Sequence, residues 1–327
     1  MLRVMTRRWI LAALAVVLGT ALLVWQVRET GTDNILRGMA AVGWMGAGGI
    51  LLLSFFRFVV RSTGWSALIA GETPPGRALA AMLVGEALGS LTPLSFVVSE
   101  PAKAAFLASK RGGVTTGAAL AALAAETFIF GVSVAIYIIL GAATLLYVYP
   151  VDEGLRMAGL WALAGMAAAL CGAAWMAWHK PALASALIRR VPLKPAAAFA
   201  DRVNAFERSA YGSTMHDSAR VGVVIACATL FHLLSYLELW LTLWLITGES
   251  LPAAAFVLDT VGRLTNVLFK VIPLQLGVLQ VGSELVARAM ALPPGVGVTV
   301  ALVRTVRVLF WSSIGVGLLA RRTTRGN

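Results

Sequence analysis

The side chains best placed to do chemistry in this sequence are ionisable groups inside apolar runs. Glu86, Glu100, Lys103, Glu126, Glu238, Asp259, Arg263, Lys270, Glu284, Arg288, Arg304 and Arg307 all lie in segments dominated by Ala, Leu, Val and Gly. A charge in such surroundings is expensive, so it faces the interior, a wet cavity or another charge. Asp259/Arg263 and Glu284/Arg288 are spaced i,i+4 and Glu100/Lys103 i,i+3, so each has a partner on its own helix. For these three pairs a structural salt bridge and a ligand contact both stay open. Glu126, Glu238 and Arg304 have no opposite charge within a turn. Each needs a distant partner, a water-filled cavity or a ligand. Arg304 and Arg307 share a helix face and project two guanidinium forks, a geometry suited to phosphate oxygens.

Short helices starting after Pro93 and Pro273 would aim their N-terminal dipoles at the same anion. The expectation is a polar, partly hydrated pocket near the middle of a membrane, open to a phosphate-bearing lipid headgroup. Its expected lining is Glu86, Thr92, Pro93, Glu100, Lys103, Glu126, Glu238, Lys270, Pro273, Gln275, Gln280, Glu284, Arg304 and Arg307.

The elements that must position these residues are membrane helices. Hydrophobic residues make up 59% of the 327, charged residues only 13%, and the mean hydropathy is +0.84. Soluble domains carry about 25% charged residues, so a soluble fold is excluded. In lipid the backbone must satisfy itself, leaving helices or a closed barrel. The apolar runs are continuous rather than alternating, which excludes the barrel. The net charge of +12 sits mainly in short loops and at helix ends. That pattern fits topology and anionic headgroups, not nucleic acid. Cys171 and Cys227 sit in apolar runs without disulfide or metal spacing and read as small core residues.

About 20 apolar residues cross a bilayer. Residues 9–26 qualify and follow Arg3, Arg7 and Arg8, which puts the N-terminus in the cytoplasm and makes the segment a signal anchor. Residues 39–60 return and end at Arg57 and Arg61, followed by a short interfacial helix around Trp65. Spans are expected at 114–149, 155–178, 221–246 and 295–320, the last ending at Arg321 and Arg322 in the cytoplasm. The basic stretch 180–218 is a cytoplasmic linker in which Phe199, Val203, Phe206 and Ala210 recur at helical spacing. It reads as an amphipathic interfacial helix or as a packing helix.

Two segments break this pattern. Residues 77–91 and 96–110 flank a Ser90-Leu91-Thr92-Pro93 break, and each is too short to cross alone. Residues 251–270 and 278–292 flank Pro273-Leu274-Gln275-Leu276-Gly277 in the same way. Placing Pro93 on Pro273 puts Glu100 on Gln280 and Glu126 close to Arg304, so mutual pairing of Glu126 and Arg304 is expected. Residues 77–149 and 252–321 thus share one plan, separated by an odd number of crossings. The expected fold is one all-α polytopic membrane domain over 1–327. It has about six full spans plus two Pro-broken re-entrant hairpins in an inverted repeat, a transporter architecture. Two Pro-kinked helices in a bundle are the plainer alternative.

No Walker, Gly-x-Ser-x-Gly or dinucleotide fingerprint occurs in a credible context, and His179, His216 and His232 are scattered. No cofactor or metal is expected. Gly85-Glu86-Ala-Leu-Gly-Ser-Leu-Thr-Pro93 with Ser99-Glu100-Pro-Ala-Lys103, and Val271-Ile-Pro-Leu-Gln-Leu-Gly277 with Gln280 and Gly282, resemble motifs of the lysylphosphatidylglycerol synthase transmembrane-region family. Arg304 and Trp311-Ser-Ser-Ile-Gly315 fit its final helix. The similarity runs over about residues 10–320. The Pro-Leu-Gln-Leu-Gly wording is most similar to the branch associated with hopanoid biosynthesis. The family commonly has Glu where this chain has Gln280, and Glu284 one turn on is a substitute. The resemblance is to the lipid-translocating half of the full synthases, which also carry a soluble aminoacyl-transferase domain. It implies a non-enzymatic flippase of a bacterial inner membrane, moving an anionic, polyprenyl or hopanoid-type lipid, and is compatible with a homo-oligomer. Two other readings stay open. One is a membrane-embedded lipid transferase with Glu100, Glu126 or Glu238 as base. The other is an accessory scaffold of a lipid pathway.

Overall fold

Long runs of helix-forming apolar residues with few breakers fold as helices wherever lipid denies the backbone water. The computed structural model describes residues 24–26, 28, 31–69, 75–92, 95–108, 114–179, 217–270 and 272–325. These are all-helical: α1 (Thr32–Ala67), α2 (Pro75–Leu91), α3 (Ser95–Leu107), α4 (Thr116–Val148), α5 (Glu153–His179), α6 (Ser218–Thr247), α7 (Pro252–Leu268), α8 (Val278–Ala289) and α9 (Val296–Arg325), with one 3₁₀ turn at Pro273–Gln275. Five of them, α1, α4, α5, α6 and α9, are long and apolar enough to cross a membrane. The expected first span (9–26), Pro93 and nearly all of the 180–218 linker lie outside the described residues.

The second expected span differs from the sequence reading. It does not stop at Arg57 and Arg61 but runs on as one 36-residue helix, bent where Gly43 takes φ 59°. Trp65, expected in a separate short helix, lies within this same helix. It is fully buried, and its indole N–H donates to the Ala119 carbonyl at 3.3 Å. The two arginines are tolerated inside the bundle because α6 and α4 supply carboxylates opposite them.

Glycines set how closely the helices approach, as small residues do in membrane interfaces. α1 and α6 pack antiparallel along their length: a Cβ on Gly46 would lie 2.5 Å from Leu245, on Gly49 3.2 Å from Leu241 and on Gly64 3.2 Å from Cys227. Cys227 is half-buried in this seam. Cys171, expected in the core, is exposed, because α5 packs on α4 and turns its other faces outward.

Both broken segments are helical hairpins. α2 and α3 pack on each other, and Arg77 at the start of α2 donates to the Ala108 carbonyl just past α3 at 3.4 Å. Gly85 seats the Lys103 stem, which a Cβ would meet at 2.2 Å. The hydroxyls of Ser90 and Thr92 donate back to the Glu86 and Leu88 carbonyls one turn earlier on the same helix. The second hairpin joins α7 to α8 through the Leu258–Val286–Ala287 core, with Gly282 against Val261. Each hairpin then meets the long helix that follows the other. Gly315 of α9 sits on the Leu83 carbonyl of α2, and Gly141 of α4 sits on Thr260 of α7.

Candidate functional site

Helical spacing builds one stripe of polar and aromatic side chains on α4: Glu126, Phe130, Ser133 and Tyr137. Opposite it, α6 presents Phe231, His232, Ser235 and Glu238 at the same periodicity. α1 inserts Arg57 and Arg61, one turn apart; α7 brings Asp259 and Arg263; α9 brings Arg304 and Arg307. Glu126 is ten residues inside α4, about 15 Å from its start at 1.5 Å per residue. Glu238 lies nine residues from the end of α6, about 14 Å. Both therefore lie well inside their helices rather than at the ends.

The ion pairs link helices that are distant in sequence. Arg61 Nε donates to Glu126 Oε1 at 3.0 Å. Arg57 donates to Glu238 Oε2 at 2.7 Å, and Arg307 to the other oxygen of the same carboxylate. Arg263 donates twice to Asp259 Oδ2, at 2.8 and 3.1 Å, while Ser235 donates to Oδ1 at 3.1 Å. Arg304 stands 3.6 Å from Asp259 Oδ1, too far for a hydrogen bond. Glu126 and Arg304, expected to pair with each other, go to Arg61 and Asp259 instead. Arg61, expected at the end of a span, is instead the partner of Glu126 inside the bundle.

Aromatic faces hold three of the guanidinium groups. Arg61 lies 4.1 Å over Phe130, Arg57 4.5 Å over Phe231 and Arg263 4.1 Å over Tyr137. Such contacts contribute about 0.5–2 kcal/mol each and leave N–H edges open to oxygen acceptors. His232 stacks on Phe130 and Tyr137, and its Nε2 lies 2.9 Å from Ser133 Oγ. Arg57 Nε and His232 Nδ1 are buried without a hydrogen-bond partner among the described residues.

The charges do not cancel. Five guanidinium groups (Arg57, Arg61, Arg263, Arg304, Arg307) meet three carboxylates (Glu126, Glu238, Asp259), a surplus of two positive charges. The hairpin tips extend the cluster: Lys103 bonds Glu100 at 2.7 Å, and Lys270 lies within electrostatic reach of Glu86 and Glu100. Adding Glu86, Glu100, Lys103 and Lys270 contributes two charges of each sign, so the surplus stays at two.

Other expected site residues stand elsewhere. Gln280 is completely buried and occupied at both ends: its carbonyl accepts from Gly277 N–H at 2.8 Å and its amide donates to Thr305 at 3.3 Å. Glu284 accepts from Arg288, Gly295 N–H and Val298 N–H, so it clamps the turn into α9 rather than facing a pocket. The dipole end of α8 begins at Val278, five residues past Pro273, with Gly277 N–H already taken by Gln280. Pro273 and Gln275 are half-buried in the tip, where Leu274, Gln275 and Gly277 all adopt positive φ. Thr92 follows the last residue of α2 and donates back to the Leu88 carbonyl of that helix.

Sequence reasoning missed Arg57 and Arg61 and the aromatic rings beneath the guanidinium groups. The signal for the arginines was present. Ser62 to Ala67 continue a helix-compatible, partly apolar run, so a span ending at Arg61 was cut short.

Nothing matches among curated proteins or among solved structures. The sequence model described as the lysylphosphatidylglycerol synthase TM region matches residues 10–317, and the chain belongs to that membrane-protein family.

Proposed function

We propose that this protein is a lipid flippase of the bacterial inner membrane, moving an anionic lipid headgroup through the arginine cluster between α1, α4, α6, α7 and α9. The observation that carries the reading is the surplus of two buried guanidinium charges about 14 Å inside the helices. Uncompensated charge in a low-dielectric interior is costly, and a phosphate from the bilayer offsets it while its tails stay in lipid. The reciprocal contacts of the two hairpins support an inverted repeat whose halves rock about this cluster. The hairpins enter from opposite faces and return, with both termini cytoplasmic. The cargo is a phosphate-bearing lipid of the phospholipid, polyprenyl or hopanoid-linked type.

The test is scrambling of a headgroup-labelled anionic phospholipid in proteoliposomes, read by a membrane-impermeant quencher. Wild type is expected to expose nearly all of the label, and Arg304→Gln to slow this at least about tenfold. Quenching that stops at the outer-leaflet half with wild type sinks the proposal.

A further inference from the structure

The surplus charge is localised. Arg61 and Glu126 form a pair by themselves. The remaining guanidinium groups, Arg57, Arg263, Arg304 and Arg307, share only Glu238 and Asp259, so the two surplus charges lie in this subset. Glu238 is divided between Arg57 and Arg307, and Asp259 is committed to Arg263 and Ser235. Arg304 is left without a carboxylate at hydrogen-bond distance among the described residues, and Arg57 keeps a buried Nε without a partner. Arg304 and Arg307 are one turn apart on α9, and both lie within electrostatic reach of Arg57. Of these three guanidinium groups two share the single carboxylate of Glu238 and the third bonds none, while Glu86 lies within electrostatic reach of Arg307.

We infer that the cluster takes a headgroup ending in a doubly charged phosphomonoester in preference to the singly charged phosphodiester of ordinary phospholipids. The inference rests on the flippase reading and narrows its cargo. A phosphodiester would leave one guanidinium uncompensated in the membrane interior, whereas a terminal phosphate neutralises both surplus charges and presents three oxygens to the three forks. The second ionisation of a phosphomonoester falls near pH 6, so the preference depends on pH in a defined direction. Above that value the terminal phosphate is a dianion and is favoured; below it both lipid classes are monoanions and the advantage disappears.

The experiment is native mass spectrometry of the purified full chain. The protein is equilibrated with equimolar phosphatidic acid and phosphatidylglycerol of matched tails, with phosphatidylcholine as reference, at pH 8.5 and pH 5. Expected is retention of phosphatidic acid over phosphatidylglycerol by about tenfold at pH 8.5, falling towards equality at pH 5. Arg304→Gln should remove the preference and Arg304→Lys should keep it, which separates charge from loss of fold. Equal retention of both anionic lipids at pH 8.5, each well above phosphatidylcholine, overturns the inference and leaves the flippase reading standing. No anionic lipid above phosphatidylcholine overturns both. Inorganic phosphate in a parallel arm distinguishes the source. Failure of millimolar phosphate to displace phosphatidic acid supports a lipid cargo, and displacement with phosphate bound alone overturns it.

Discussion

Arg304 stands 3.6 Å from Asp259, a carboxylate that Arg263 already holds at 2.8 Å. The two arginines therefore have different duties although both touch one acid. Removing Arg263 leaves Asp259, only 2% exposed, with one distant cation, so Arg263→Gln is expected to cost about 3 kcal/mol. Arg304→Gln leaves the Asp259–Arg263 pair intact and is expected to melt close to wild type while losing lipid transport. Thermal unfolding followed by tryptophan fluorescence in detergent checks this. Equal destabilisation by the two substitutions would place Arg304 in the structural pair and take it out of the proposed lipid site.

The Arg61–Glu126 bridge makes a second, separable prediction. Glu126 is buried and its partner is 24% exposed, so Glu126→Leu strands a guanidinium in the bundle and is expected to destabilise by about 3–5 kcal/mol. The double substitution Arg61→Met with Glu126→Leu removes both charges and is expected to regain most of that loss, because Met fills the space over Phe130. A double-mutant cycle of melting temperatures measures the coupling. Additive losses would mean that the two side chains do not interact.

The sequence showed the helices well because a spanning helix needs only length and apolarity, and both hairpins because Ser90, Thr92 and the Pro273 segment interrupt a helical pattern. It also showed Asp259/Arg263, Glu284/Arg288 and Glu100/Lys103, since a pair on one helix is fixed by spacing alone. It did not show Arg57–Glu238 or Arg61–Glu126, whose partners are 181 and 65 residues apart. Such pairs depend on how α1 lies against α6 and α4, and that is set by glycine seams with no periodic signature. Gln280 was misjudged for a related reason: a polar residue at a break reads as a ligand contact until the backbone it caps can be seen.

Gln280 supplies the third prediction. Its two ends satisfy the N–H of Gly277 and the hydroxyl of Thr305 across the second hairpin tip. Gln280→Leu keeps the volume but leaves a buried backbone donor without its partner, at an expected cost of about 1–3 kcal/mol. Faster hydrogen exchange at Gly277 and Gln280 than in wild type would locate the loss at the tip. Unchanged exchange there would mean that the tip holds itself without the amide.

The last prediction separates the proposed lipid site at Arg304 from the scaffold with one added methyl group. A Cβ on Gly262 would lie 1.8 Å from Arg304 Nη1, the far end of a flexible side chain, whereas a Cβ on Gly297 would lie 2.4 Å from the Ser283 carbonyl oxygen. The guanidinium can swing aside and the helix backbone cannot. Gly262→Ala is therefore expected to fold and to melt near wild type but to move lipid as poorly as Arg304→Gln, since the fork is displaced without loss of its charge. Gly297→Ala must separate α8 from α9 and is expected to cost about 3 kcal/mol, near the upper end for overpacking, lowering yield and melting temperature together. Wild-type transport by Gly262→Ala would mean that the position of the Arg304 fork is immaterial to the cargo.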